Sequence, residues 1–423
     1  MIKVLANLLG SQVILGVVGL ATLPVIARAL GVGAYGEFSL FIILIGAINN
    51  LEFVRPLFIK EYVGASEIKK AELHRVARVN IVFVVLVSVI FGWFFIDPVL
   101  IFSLCLIVLF QGLASPDYAW LALKGKVVSV NLVRNIIWSV TYLVITGGVL
   151  LYAEDFHYGF SFVIANMIVF LVYRYMSTLT KSSEKNIGFN GVRKYLSNAL
   201  NISAFNLSGA VIVSVDKGIL KDHVITGEFG QYSAQADLAI KMNMVSNAIS
   251  NMLYPILTTR IAESGKDLAF VLFRKVFFWT LLAYFTVVIL LIAYSDQIVV
   301  QIFGDNFLGE HNYYAVFLFG IFLHMFSFLI VPWQRALGNF ILPRKVYSAA
   351  ALIMLVLGLL LIPRYGSDGA ILTYLSARLA EIFLLVHMLY TLPKGSVKIW
   401  EKLVIGVLSL CIGSAALWKS GWI

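Results

Sequence analysis

Cysteine is almost absent. Cys105 and Cys411 are the only two in 423 residues, and both fall in apolar runs. A disulfide scaffold and a cysteine metal site are excluded, and the two read as buried free thiols. Charge is scarce as well: Asp, Glu, Lys and Arg make up 13%, where a soluble domain carries about a quarter. Long polar segments are missing. The longest stretches between apolar runs are 60–75, 177–195 and 295–311, too short to fold as a soluble catalytic domain. No His/Cys metal spacing and no Ser/His/Asp grouping stands out, so neither a metal site nor an enzyme is expected.

What is present is hydrophobic sequence, 61% of the chain. A helix needs ~20 apolar residues to cross a bilayer. Thirteen runs approach that length: 5–29, 37–59, 76–96, 99–123, 128–152, 158–176, 196–221, 228–257, 272–294, 312–334, 344–362, 368–391 and 399–418. The last is the shortest once its charged start is removed. The first is read as a span rather than a cleaved leader, since it is long and shows no small-residue cleavage site before Arg28.

The net charge of +10 does not point to nucleic acid, because the basic residues are distributed by side. With a cytoplasmic N-terminus and alternating spans, 24 of the 32 basic residues fall at inner loops or inner helix ends. Arg28, Lys217, Lys221, Arg364 and Lys419 fall outside, and Arg55, Lys241 and Arg378 within spans. This asymmetry is the positive-inside rule. Segment 61–78 sets Ile68, Leu73 and Val76 among charged residues and predicts an amphipathic helix on the inner surface.

The stretch "ALGVGAYGEFSL" (29–40) contains Gly31, Gly33 and Gly36 in the spacing of a dinucleotide loop. Such a loop needs a preceding strand, and here apolar helices flank it. A second copy, "GEFGQYSA" (227–234), resembles "GAYGEFSL" (33–40). The glycines Gly33, Gly36, Gly227 and Gly230 are therefore assigned to tight turns between helices. Fainter echoes follow: Trp120 and Gly125 are spaced as Trp333 and Gly338, and "YG" recurs at 158–159 and 365–366. Spans 1–6 and 7–12 thus read as parallel repeats. The expected fold is all-α and polytopic, two six-helix lobes around a central cavity plus a thirteenth helix. The lobes are 1–180 and 196–392, with a cytoplasmic linker at 181–195 and an appended helix in 393–423.

Charge inside a span is costly and usually faces a cavity or a partner. Glu52 and Arg55, Asp237 and Lys241, and Arg378 and Glu381 are each spaced for one helix face, and Asp216 adjoins Lys217. One reading is local neutralisation; the other is a polar pathway. Arg55, Arg134, Lys217, Lys241 and Arg378 fall at different depths and suit an anionic cargo such as a phosphate head group. Glu52, Asp216, Asp237 and Glu381 are candidates for coupling to a proton or sodium ion, with Asp237 or Glu52 favoured. Asn243, Asn247 and Asn251 form a stripe that either glues helices or lines a wet cavity. His324 is read as a hydrogen-bonded packing residue, with a proton carrier as the alternative. Pro24, Pro56, Pro116, Pro255 and Pro332 predict kinks.

"RALGVGAYGEFSLF" resembles the R-x-L-G-x-x-x-Y-G signature of bacterial O-antigen and polysaccharide flippases, within the multidrug/oligosaccharidyl-lipid/polysaccharide exporter superfamily. "VDKGILKDHVITGEFGQYSAQADL" (215–238), "YPILTTR" (254–260) and "FGDNF" (303–307) are similar to further stretches of that family. The resemblance implies flipping of undecaprenyl-diphosphate-linked oligosaccharide from the cytoplasmic to the periplasmic leaflet of the bacterial inner membrane by alternating access. It also implies membrane lipid as the medium, a polysaccharide polymerase and a chain-length regulator as partners, and no resident cofactor. A multidrug/cation antiporter of the same superfamily is the alternative, but a cationic cargo calls for an excess of intramembrane acids. A membrane-embedded polymerase would need a sizeable loop, and the chain has none.

Overall fold

The computed structural model describes residues 2–49, 81–82, 84–86, 88–89, 98–123, 126–152, 157–179, 190–309, 311–383, 387, 406, 409 and 412–420. Glu52, Arg55, Asn50, Pro56 and the amphipathic segment 61–78 lie outside the described residues. Among those described, the regular structure is helical, with no strand. In chain order the helices are α1 Ile2–Asn49, α2 Pro98–Leu123, α3 Val127–Tyr152, α4 Tyr158–Thr178, α5 Asn190–Leu220, α6 Thr226–Ile240, α7 Asn243–Ala293, α8 Ser295–Phe303, α9 Tyr313–Ala336 and α10 Ile341–Glu381. Residues 412–419 are helical again.

Three of these are pairs of helices joined at one glycine. The chain turns at Gly31 in α1, at Gly265 in α7 and at Gly366 in α10. Gly31 has φ 75 and ψ 172, a region that only glycine occupies at low cost. The expected spans 1 and 2, 8 and 9, and 11 and 12 are thereby recovered as separate helices. Span 8 departs from expectation. The apolar run 228–257 predicts one continuous helix, but α6 stops at Ile240 and α7 starts at Asn243. At the break the Lys241 and Met242 N–H groups donate three residues back, to Leu238 O (3.3 Å) and Ala239 O (2.9 Å).

Seven stretches among the described residues are long and apolar enough to cross a membrane. Their outward faces confirm the solvent. On α10, Leu352, Leu355, Val356, Leu359 and Leu360 are exposed at the i, i+3, i+4, i+7, i+8 spacing of one face. Leu132, Ile136, Val140, Leu143 and Val144 repeat this on α3. Water would not tolerate such stripes; lipid does. The chain is a multi-pass membrane protein.

Two compact units divide the chain: Met1–Leu30 with Leu40–Ser214, and Gly31–Ser39 with Val215–Ile423. The short stretch 31–39 thus packs with the second unit. In the first unit α4 packs on α2 and α3, around a core of Ala114, Tyr118, Leu121, Val130, Val169 and Tyr173. The Tyr173 hydroxyl donates to Val130 O at 2.8 Å, which satisfies a phenol buried in lipid-facing structure.

In the second unit α9 is central, touching α6, α7, α8 and α10. Its apolar stretch is 89% buried against 28–39% in the other six, as expected of a helix hydrophobic on every side. The Asn312 carboxamide oxygen caps its first turn, accepting from Ala315 N at 3.2 Å, and its amide donates to Ser295 Oγ at 2.6 Å and to Asp296. Lys419 pairs with the same Asp296. A Cβ on Gly413 would meet the Phe319 ring at 3.0 Å. The C-terminal helix therefore runs antiparallel to the start of α9 and ends beside α8.

Candidate functional site

Three of the sequence stretches quoted above converge in the second unit. Tyr35 of "GAYGEFSL" packs on Phe303 and Phe307 of "FGDNF", with ring centroids 5.9 and 6.0 Å away. From "GEFGQYSA", Gln231 Nε2 donates to Asn306 O at 2.9 Å. Farther along the same helix, Gln235 Nε2 donates to Phe307 O and Leu308 O at 2.9 and 2.8 Å, while its Oε1 accepts from Tyr314 N. These contacts satisfy the backbone of the 305–308 turn, whose 3-10 geometry leaves carbonyls unpaired.

The two motif copies pack directly on each other. A Cβ on Gly36 would stand 2.6 Å from the Phe229 ring, and one on Gly230 would collide with the Val32 carbonyl oxygen. Both glycines let the helices approach to backbone contact. This corrects the turn assignment. Gly33, Gly36, Gly227 and Gly230 all lie in helix without positive φ. The first turn falls at Gly31, and the second uses residues 221–225 without glycine. Four glycines near a helix start look like turn residues in sequence, but here Gly33, Gly36 and Gly230 serve close packing, while Gly227 meets no atom within 4 Å.

Between the copies lies the first charge cluster. Lys217 is near the end of α5, and its stem is tilted towards the helix N-terminus, which carries Nζ to the level of Asp237 on antiparallel α6. Nζ donates to Asp237 Oδ1 at 2.7 Å, Ser39 Oγ at 2.7 Å and the Ser233 carbonyl at 3.3 Å. An ammonium has three donors, and all three are used. The Lys217 side chain is 1% exposed. Asp237 Oδ2 accepts from Tyr35 Oη at 3.0 Å. Asp216, adjacent to Lys217, turns instead to Tyr232, whose hydroxyl donates to Oδ2 at 2.6 Å. Its Oδ1 is buried and meets no hydrogen-bond partner among the described residues.

The second cluster joins α9 and α10. Arg378 Nη1 donates to Glu381 Oε1 at 2.7 Å, the expected i, i+3 pair. Glu381 Oε2 accepts the Ser327 hydroxyl at 3.0 Å and lies 2.5 Å from His324 Nδ1. The Ser327 and Tyr347 hydroxyls are 3.2 Å apart, and the Arg378 guanidinium sits 4.9 Å from the Tyr374 ring centroid. Arg378 and Glu381 are buried. A pair this deep is held only if its remaining donors and acceptors are met; the surrounding hydroxyls and imidazole meet most of them, while Arg378 Nε is buried without a hydrogen-bond partner among the described residues.

Of the five expected cationic groups, Lys217 and Arg378 are thus sealed and neutralised within the second unit. Lys241 and Arg134 differ. Each is half-buried and has no ion pair among the described residues. Asp237 forms its ion pair with Lys217 across two helices rather than with Lys241. Arg55 and Glu52 lie outside the described residues.

Sequence reasoning passed over several members. Ser39 and Ser233 occupy the same position in the two motif copies, a clue that was available. Asp117 was not singled out although it lies in an apolar run. It is fully buried in the first unit, where Ser177 Oγ donates to Oδ1 at 2.6 Å and Arg174 stands 3.7 Å from Oδ2. The cost of a charge inside a span would have flagged it. Asn247, Asn251 and Pro255 have side chains outside the described set.

No family model matches the chain. A "Putative O-antigen transporter" of Shigella flexneri is 26% identical over 191 residues. That match is 44% of this chain and 44% of the relative, so the chain spans less than half the length of the curated relative it matches. Among solved structures, lipid II flippase MurJ in its inward closed conformation aligns with TM-score 0.66 at 15% identity, over 99% of this chain and 98% of that one. A multidrug resistance MATE family transporter of the MOP superfamily, in its outward-facing conformation, gives TM-score 0.56 at 12% identity over 96% of each chain. The fold is that of these membrane transporters and flippases, and none of the three is an enzyme.

Proposed function

We propose that the chain is a flippase that moves polyprenyl-diphosphate-linked oligosaccharide, an O-antigen or other surface polysaccharide repeat unit, from the cytoplasmic to the periplasmic leaflet of the bacterial inner membrane. The observation that carries this reading is the joint likeness: an O-antigen transporter by sequence and a lipid II flippase along nearly the whole chain by fold. Alternating access supplies the movement, and the N-terminus is cytoplasmic by the distribution of Lys and Arg.

The charge distribution supports an anionic head group. Lys241 sits at a helix break, and Arg134 lies in α3 seven residues from its start. Neither forms an ion pair among the described residues, and a diphosphate satisfies such groups by charge-assisted hydrogen bonds. Lys217 and Arg378 support the reading only as scaffold.

The test is export in a strain whose own flippase has been deleted. The wild-type chain restores surface polysaccharide. Lys241→Ala and Arg134→Ala reach the membrane in normal amount but lower export about tenfold or more, as expected for loss of a charge-assisted contact worth ~1.5–3 kcal/mol. Restored resistance to cationic drugs without restored polysaccharide would favour the antiporter reading instead.

A further inference from the structure

Sequence leaves the coupling ion open between proton and sodium. The second charge cluster separates them. His324 Nδ1 lies 2.5 Å from Glu381 Oε2 and 2.9 Å from Arg378 Nη1. A carboxylate only accepts and a guanidinium only donates. One ring nitrogen cannot give a proton to Glu381 and offer a lone pair to Arg378 at the same time. Its two neighbours therefore suit two different states of Nδ1: bare towards Arg378, and protonated towards Glu381, as in the Nδ1–H tautomer or the imidazolium.

We infer that His324, seated on Glu381, is a proton-binding site of the second unit. In the neutral ring Nε2 carries the hydrogen and the Nδ1 lone pair accepts from Arg378 Nη1. Uptake of one proton from water gives an imidazolium whose Nδ1–H donates to Glu381 Oε2. Release returns that proton and restores the contact with Arg378. One proton thus exchanges the partner of Nδ1 between two groups of α10.

The surroundings favour this over a metal cation. Glu381 Oε1 is taken by Arg378, and Oε2 by Ser327 as well as the imidazole. A sodium ion would have to displace a guanidinium from a buried carboxylate. A proton displaces only the Arg378 N–H from Nδ1, and that guanidinium keeps its bond to Glu381 Oε1. Access fits too: the Glu381 and Arg378 side chains are 0% and 3% exposed, and the His324 side chain 11%. The imidazole is itself buried but is the least enclosed of the three, and its Nε2 meets no hydrogen-bond partner among the described residues.

Of the elements packed on α9, α10 brings one charge that favours a protonated ring, Glu381, and one that opposes it, Arg378. From α10 the groups facing the ring are Arg378, Glu381 and the Tyr347 phenol, with ring centroids 6.2 Å apart. Elsewhere along α9, α6 brings Tyr232 against Phe317, and α7 brings Tyr284 near Tyr314. Asp296 of α8 sits at Asn312, twelve residues and ~18 Å away by helical rise.

The inference names the coupling ion of the proposed flippase, but its test reads proton occupancy without cargo, so the two can fail separately. The full-length protein, labelled with 15N at histidine, is placed in lipid nanodiscs, and His324→Gln identifies the His324 signals. The expected result is that both ring nitrogens of His324 become N–H as pH falls between 8 and 5. The midpoint stays the same in NaCl and KCl. In Glu381→Gln it drops by about one unit, a tenfold loss of proton affinity. A His324 ring whose protonation state is fixed over that range overturns the proposal. So does a midpoint that sodium lowers, since the site would then be a cation site.

Discussion

Lys217 Nζ lies 2.7 Å from Asp237 Oδ1, and the same ammonium holds Ser39 and Ser233, the matching serines of two motif copies nearly two hundred residues apart. The pair locks one copy to the other. Removing only the cation strands a buried carboxylate, which costs ~3–5 kcal/mol. Lys217→Met should therefore lower the thermal midpoint of the purified protein sharply, and Lys217→Met with Asp237→Asn should recover most of the loss. A single variant as stable as the wild type would show that the pair is not what joins the copies.

The glycine crossing gives a steric counterpart. Gly230→Ala sets a methyl on the Val32 carbonyl oxygen, and backbone cannot swing aside as a side chain can. Overpacking of this kind costs ~1–3 kcal/mol. Gly227→Ala, in the same motif, meets no atom within 4 Å and lies in helix, so it should be silent. Amounts of folded protein in the membrane compare the two directly, and equal effects would deny the crossing.

Gly31 separates conformational strain from steric clash. A methyl there touches nothing within 4 Å, yet its φ and ψ belong to glycine alone, at ~1–3 kcal/mol for any other residue. Gly31→Ala is expected to destabilise despite the open space. Thermal unfolding in detergent tests it, and an unchanged midpoint would mean the chain can turn elsewhere.

The ion pair between Lys419 and Asp296 puts the end of the C-terminal helix at the same membrane face as α8. In an otherwise cysteine-free background, Asp296→Cys and Lys419→Cys should both react with a membrane-impermeant thiol reagent added from the periplasmic side. Labelling of one from outside and of the other only after lysis would contradict this arrangement.

Much of the fold is legible in the sequence, because lipid demands long apolar helices and leaves few alternatives. Spans 1 and 2 were placed around Gly31 correctly for that reason. The break at Lys241–Met242 was not legible: residues 228–257 carry no proline or glycine at the break, and both halves are apolar enough to read as one. Within the site, i, i+3 spacing found Arg378 with Glu381, since both share a helix. It missed Lys217 with Asp237, which meet across two helices. His324 reads as a hydrogen-bonded packing residue, and it is buried and hydrogen-bonded; the identity of its partners was not legible, because they come from α10 more than fifty residues on. Side-chain spacing reveals contacts along a helix; the tertiary arrangement alone reveals those between helices.

The central claim is flipping of a lipid-linked oligosaccharide, and it can be measured with purified components. The protein is reconstituted into vesicles holding undecaprenyl-diphosphate-linked oligosaccharide, and an added glycosidase reports how much cargo reaches the outer leaflet. The account predicts transfer well above protein-free vesicles, diminished in Lys241→Ala. Transfer no faster than in empty vesicles, by a protein shown to be folded, would contradict it.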